Sequence, residues 1–169
     1  MNILELQPIA ATRRNHALEH ATIHILSGYL PAVSMAGRAN SRGFFIYGDL
    51  HTEALRQAVR EAIQRMTAGE SYLAIHPNCG TNLVTTAIFS ATATMLAIAG
   101  KRRHLLDRIP TGLLGALAGV FLGQMVGLNL QERITTCAEL DVVKVVQISR
   151  REIGRRVLHW VQIAHEPAG

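Results

Sequence analysis

Two stretches of this chain carry no charged side chain, and each is long enough to cross a bilayer. Thr81 to Gly100 (TNLVTTAIFSATATMLAIAG) is 20 residues, which matches the ~20 residues a helix needs to span ~30 Å of hydrocarbon. Ile109 to Gln131 (IPTGLLGALAGVFLGQMVGLNLQ) is uncharged again, with Pro110 placed where a helix starts and no N–H is required. Between them lies the basic loop KRRHLLDR, residues 101–108. It holds four Lys/Arg against one Asp, and so carries +3 of the net +5. By the positive-inside rule that loop faces the cytoplasm. The rival reading, two buried helices of a soluble fold, sits badly with the composition. Hydrophobic residues make up 49% of the chain but aromatics only 5%. A soluble core of this size would draw more of its buried area from Phe, Tyr and Trp.

The flanks are nearly neutral. Residues 1–80 hold seven Lys/Arg and six Asp/Glu, and residues 131–169 hold six and five. The charge therefore reads as a topology signal and not as a nucleic-acid footprint, and no nucleic acid is expected as a partner. The opening residues lack the basic start and apolar run of a cleavable signal peptide. Two cysteines, Cys79 and Cys137, are too few for a disulfide scaffold.

Local patterns give the flanks an α+β character. Ile9 to Leu26 reads as a helix ending at Ser27-Gly28. Pro31 to Met35 and Gly43 to Tyr47 read as short strands around the polar turn GRANSR. Asp49 to Met66 is amphipathic, with Leu55, Val59, Ile63 and Met66 on one face and Asp49 or Thr52 able to cap it. Tyr72 to Ile75 reads as a strand, and HPNCG as a turn into the first span. Val142 to Ser149 and Val157 to Ala164 form a β-hairpin around Glu152 to Gly154. The expected fold is an α+β membrane protein. Residues 1–80 and 132–169 form one small body with a short mixed or antiparallel sheet. A transmembrane helical hairpin, residues 81–131 with spans 81–100 and 109–131, is inserted into it. In the second span Gly115, Gly119, Gly123 and Gly127 recur every four residues and line one face. Such a face lets another helix approach closely, within the hairpin or across a homo-oligomer.

The densest chemical feature is His16-Ala-Leu-Glu19-His20, with His24 following. His16 and His20 stand one helical turn apart and can grip one metal ion. Glu19 lies ~60° round the helix from His16 and can reach a metal-bound water. Zinc needs three protein ligands, an open position for water and a nearby carboxylate to take the water's proton. His76, in the rigid turn His76-Pro77-Asn78-Cys79, is the expected third ligand. His24 and Cys79 are possible additional ligands, and Glu53, Glu61 or Glu70 could replace His76. Ordinary alternatives stand beside these. His24 drifts ~80° from His16 and could face the core. Cys79 could simply precede a helix whose turn is made by Pro77, Asn78 and Gly80. Thr135, Thr136 and Cys137 follow the second span and could line the same entrance.

The stretches NHALEHATIHILSG, GFFIYGD and AIHPNCGTNLVTT together resemble an uncharacterised bacterial family of small two-span membrane proteins, from about Asn15 to Thr136. The resemblance implies the architecture and no reaction. Separately, His16, Glu19 and His20 are similar to the H-x-x-E-H motif of inverzincin-type zinc peptidases. There the histidines bind zinc, the glutamate is the general base and a far downstream glutamate completes the site.

The function expected is a zinc-dependent, or other divalent-metal-dependent, membrane hydrolase of peptidase type. Its substrate would be apolar or membrane-associated, and its place a bacterial cell membrane, with the side of the soluble body left open. The alternatives are a non-enzymatic binder of a metal or a haem-like tetrapyrrole through the same histidines, and a structural oligomeric membrane module.

Overall fold

A computed structural model describes residues 3–99, 105–154 and 156–166. Residues 100–104, most of the basic loop, lie outside that range, as do the side chains of 105–107. The chain divides into two compact units. One joins both flanks, residues 1–76 and 132–169; the other is residues 77–131.

In the first unit, helix α1 (Ile9–Tyr29) and helix α2 (Thr52–Thr67) pair with a four-stranded sheet. Its strands are β1 (Ala36–Asn40), β2 (Gly43–Tyr47), β3 (Val143–Ile153) and β4 (Arg156–His165), in the order β1-β2-β4-β3 and antiparallel throughout. The alternation along β2 and β4 decides the layers. Phe44, Ile46, Val161 and Ile163 point inward and are buried against Leu18, Leu26, Leu55 and Val59 of the helices. Phe45, Tyr47, Trp160 and Gln162 point to the opposite face. The middle of α1 is buried all round, with every residue from Ala17 to Ile23 buried in succession. That follows from its place between sheet, α2 and the turn at residues 71–74.

Several boundaries differ from the sequence reading. The first strand is not Pro31 to Met35 but Ala36–Asn40, inside the segment read as a polar turn. The turn itself is only Ser41-Arg42, closed by the Asn40 side chain, whose Oδ1 accepts from Arg42 N at 2.8 Å. β1 is an edge strand with one face to solvent, so it carries no apolar alternation to read. Tyr72 to Ile75 is not a strand either. Ser71–Ala74 is a 3-10 turn, drawn tight because Arg65 clamps the Glu70 carboxylate, with Nη2 to Oε2 at 2.6 Å, and also reaches the Tyr72 hydroxyl. α2 starts at Thr52 with no side-chain cap, since the Thr52 hydroxyl is engaged by His159. The C-terminal hairpin is longer than expected and turns at Gly154, which takes a left-handed φ of +60°.

The second unit is a helical hairpin, α3 (Gly80–Ile98) and α4 (Leu105–Leu130). α4 begins before Pro110, which therefore lies within the helix. Both helices are long and apolar enough to cross a membrane. Their glycine face packs inside the chain. A Cβ on Gly119 would stand 2.5 Å from the Phe89 carbonyl oxygen and the Ser90 Cα, and one on Gly127 would stand 2.9 Å from the Asn82 Cα. The glycine face is thus occupied by α3 of the same chain, and a homo-oligomer through it would have to displace that helix.

Since the Gly119 neighbours are backbone atoms, Gly119→Ala must push the helices apart, at a cost of ~1–3 kcal/mol. Gly112→Ala would meet only side chains, Ile98 at 3.3 Å and Thr94 at 3.7 Å, and should cost less. Thermal unfolding of helical circular dichroism, on the full chain in detergent, should rank them in that order.

Candidate metal centre

α1 carries His16, His20 and His24 at steps of four, each about a turn beyond the last. The ring centroids of His16 and His20 are 4.3 Å apart. His76, just after the 3-10 turn, brings its ring to 5.8 Å from His20 and 4.7 Å from His24. Four imidazoles therefore stand in one row inside the first unit.

Backbone carbonyls orient them. His16 Nδ1 lies 3.0 Å from the Thr135 oxygen, His20 Nδ1 2.6 Å from the Ala74 oxygen, and His24 Nε2 2.9 Å from the Ile75 oxygen. A carbonyl can only accept, so each of these nitrogens carries the proton. In the neutral ring the lone pair is then on Nε2 of His16 and His20, and on Nδ1 of His24. Metal-binding histidines are held in this way, with one ring N–H given to a carbonyl and the other nitrogen turned to the ion. Burial, then the neighbouring His24 and His20, push the His76 pKa down to about 4. His76 is accordingly neutral at physiological pH, the form that can bind a metal.

Glu19 is buried at 5% exposure and packs beneath β1. A Cβ on Gly37 would stand 2.1 Å from its Oε1 and 2.7 Å from its Cγ. Gly37 is thus the residue that makes room for the carboxylate, and the sequence reading had placed it in a loop. Arg13 was also missed. Its guanidinium donates to the carbonyls of Ile134 at 2.7 Å, Arg133 at 3.1 Å and Thr136 at 2.9 Å. Cys137 N returns a bond to the Arg13 carbonyl at 3.2 Å. Together with Arg14, which donates to the Glu139 carbonyl, it fastens the segment that presents Thr135 to His16. An arginine pair beside H-x-x-E-H gives no sign of such a role, because its acceptors are backbone atoms about 120 residues away.

Cys79 is buried at the residue before α3, where its carbonyl accepts from Leu83 N at 3.0 Å; it belongs to the second unit. Glu53, Glu61 and Glu70 are each ion-paired to arginines of α2. Thr135 contributes its carbonyl to the row. A cleft of about 300 Å³ adjoins it, lined by Tyr72, Ala74, Ile75, Glu132, Thr136 and Ala138. Ala74 and Ile75 are the residues whose carbonyls hold His20 and His24.

The family model described as a domain of unknown function, DUF6391, matches residues 11–148. The chain belongs to this family. The match contains the four histidines, Glu19, Gly37 and both long helices. A relative in sequence is an uncharacterized protein of Picosynechococcus sp., 30% identical over 178 aligned positions that cover 96% of this chain and 84% of the relative. Neither name states an activity. No solved structure matches the chain.

Two outcomes follow from this geometry. Gly37→Ala must displace the Glu19 carboxylate and should cost ~1–3 kcal/mol. In a Glu19→Ala background most of that cost should vanish, which a double-mutant cycle of melting temperatures reads directly. The second concerns acid. Arg65, and then the Tyr72 hydroxyl, hold the Glu70 pKa at about 2, below its ordinary 4.5. A carboxylate depressed in the folded state stabilises it above the unfolded pKa, and that contribution is lost as pH falls. The melting temperature, followed by the fluorescence of the single tryptophan, Trp160, should drop between pH 4.5 and 2. Glu70→Gln should flatten that part of the curve.

Proposed function

We propose that this protein is an integral-membrane zinc hydrolase of peptidase type. His16 and His20 would bind the ion through Nε2, His76 would be the third ligand, and Glu19 would take the proton of a metal-bound water. The observation that carries the reading is the pair of Nδ1–H bonds from His16 and His20 to the Thr135 and Ala74 carbonyls. They fix the tautomer that a metal requires. The cleft beside Ala74 and Ile75 is the place for the substrate, whose scissile carbonyl the ion would polarise.

Membrane insertion is supported by what the long helices do with their apolar surface. Only 6% of the most apolar stretch within Gly80–Ile98 and 17% of that within Arg108–Thr135 is buried. Val84, Ile88, Leu96, Leu114, Phe121 and Met125 stay exposed. A soluble core helix would bury such residues, whereas lipid is their natural solvent. With the loop at residues 101–108 cytoplasmic, both flanks would lie on the opposite side, a topology that labelling of Cys137 from either side of sealed vesicles would test.

A second reading, a non-enzymatic metal or tetrapyrrole binder using the same histidines, draws support from Glu19. Its carboxylate is packed against the β1 backbone at Gly37, which suits a positioning role as well as a base.

The deciding measurement is elemental analysis of the full chain purified in detergent without chelator. About one zinc per chain is expected. His16→Ala with His20→Ala should remove it, and His76→Ala should weaken binding by at least the ~10–100-fold typical of losing even an indirect partner. A metal-free wild-type protein overturns both readings. Glu19→Gln separates them: zinc retained with peptide hydrolysis lost supports the hydrolase, and zinc retained with function intact supports the non-enzymatic binder.

A further inference from the structure

The sheet has a second face, turned away from α1 and α2, the two long helices of its own unit. Phe45, Tyr47 and Trp160 lie on it by register, along with Arg38, the cross-strand partner of Phe45. Phe45 and Trp160 form a platform, with ring centroids 4.4 Å apart and planes at 40°. Beside it opens a cleft of about 330 Å³, lined by Asn40, Arg42, Phe45, Arg151, Trp160 and Gln162. That volume is at the small end of the ~300–1,000 Å³ found for small-molecule sites.

The charge on this face is one-sided. Among the described residues, Arg38, Arg42 and Arg151 form no ion pair, whereas Arg56, Arg60, Arg65 and Arg150 are each matched to a glutamate. Lys144, further along β3, is matched to Glu166. Arg42 is also held in place, although it sits in a turn. Its N–H donates to Asn40 Oδ1 at 2.8 Å, and its carbonyl accepts from Ile163 N at 2.9 Å.

We propose that this cleft binds a nucleoside phosphate. The base would stack on the Trp160–Phe45 platform, as bases do on exposed aromatic faces of sheets. Arg42 and Arg151 would take the phosphate, which guanidinium groups recognise by paired, charge-assisted hydrogen bonds. Asn40 and Gln162 offer both donors and acceptors to the edge of the base. A bare anion would leave the aromatic platform unused, and an apolar ligand would leave two unpaired arginines facing it. The combination selects a ligand with a planar π-system and a negative charge. The site is on the opposite face of the sheet from the histidine row, so the proposal stands apart from the metal reading.

Trp160 is the only tryptophan and is therefore a built-in probe. The full chain in detergent is titrated with AMP and ATP while its fluorescence is followed. Saturable quenching is expected, with adenosine and inorganic phosphate each binding at least about tenfold more weakly. Arg42→Ala with Arg151→Ala, two exposed residues outside the core, should weaken AMP about tenfold or more. The melting temperature should stay unchanged. Calorimetry on Trp160→Ala should show the same loss. Three results overturn the proposal: no saturable nucleotide binding, nucleotide binding indifferent to the two arginines, or quenching by single-stranded RNA or phosphatidylglycerol vesicles without any by mononucleotides. The last would assign the face to a polymer or a bilayer.

Discussion

The pairing of β2 with β4 joins residues 43–47 to residues 158–162, so a strand made before the long helices is completed by one made after them. Closing so long a loop costs conformational entropy, but that cost grows only logarithmically with length. The helical hairpin reduces it further by being ordered itself. Gly127 stands against Asn82, so the hairpin brings its own two ends together. Arg13 then adds three hydrogen bonds to backbone carbonyls of residues 133–136, and the body is closed a second time on the side of α1. Without these two closures the helix bearing H-x-x-E-H would have half a sheet to rest on.

The same closure determines the chemistry of the histidines. The carbonyl that sets the His16 tautomer comes from Thr135, after the hairpin, and those that set His20 and His24 come from Ala74 and Ile75, before it. Neither flank alone could orient the row. Spacing on a helix puts His16 and His20 one above the other, but spacing leaves the ring nitrogens undecided. The folded body decides them, and it does so with main-chain atoms, which no side-chain motif records. This also explains why the 3-10 turn matters. A strand over Tyr72 to Ile75 would have committed its carbonyls to a ladder, while a short turn leaves those of Ala74 and Ile75 available to the imidazoles.

What could be read from the sequence follows from which signals are local. The two apolar runs were legible from their length and lack of charge, and α2 from its helical period. β1 was not, because an edge strand built of Ala36, Gly37, Arg38, Ala39 and Asn40 has no alternation and looks like a turn. Gly37 could not be assigned a purpose until Glu19 was seen beneath it, since a glycine chosen for lack of bulk resembles one chosen for a turn. His16, Glu19, His20 and His76 were picked out by residue type. The structure brings the three histidines into one row within the first unit. Arg13 and Arg14 escaped notice because their acceptors are peptide carbonyls.

Linear counting of charge says least about where folding puts it. Residues 1–80 are almost neutral by sum, with seven basic and six acidic side chains, and on that ground no basic face was expected. Folding sorts those charges. The α2 glutamates Glu53 and Glu61, and Glu70 just beyond, are spent on Arg56, Arg60 and Arg65. Arg38 and Arg42 are on the far side of the sheet from α2 and share none of that neutralisation. β4 then places Trp160 beside Phe45, and β3 adds Arg151 next to them. A balanced segment thereby yields one acidic-paired helix and one unpaired basic, aromatic surface. The distribution of charge over faces, which depends on strand register, carries information that the net charge of a segment discards. The sheet thus separates two chemistries, imidazoles held by carbonyls under one face and, among the described residues, guanidinium groups without an ion pair beside aromatic rings on the other.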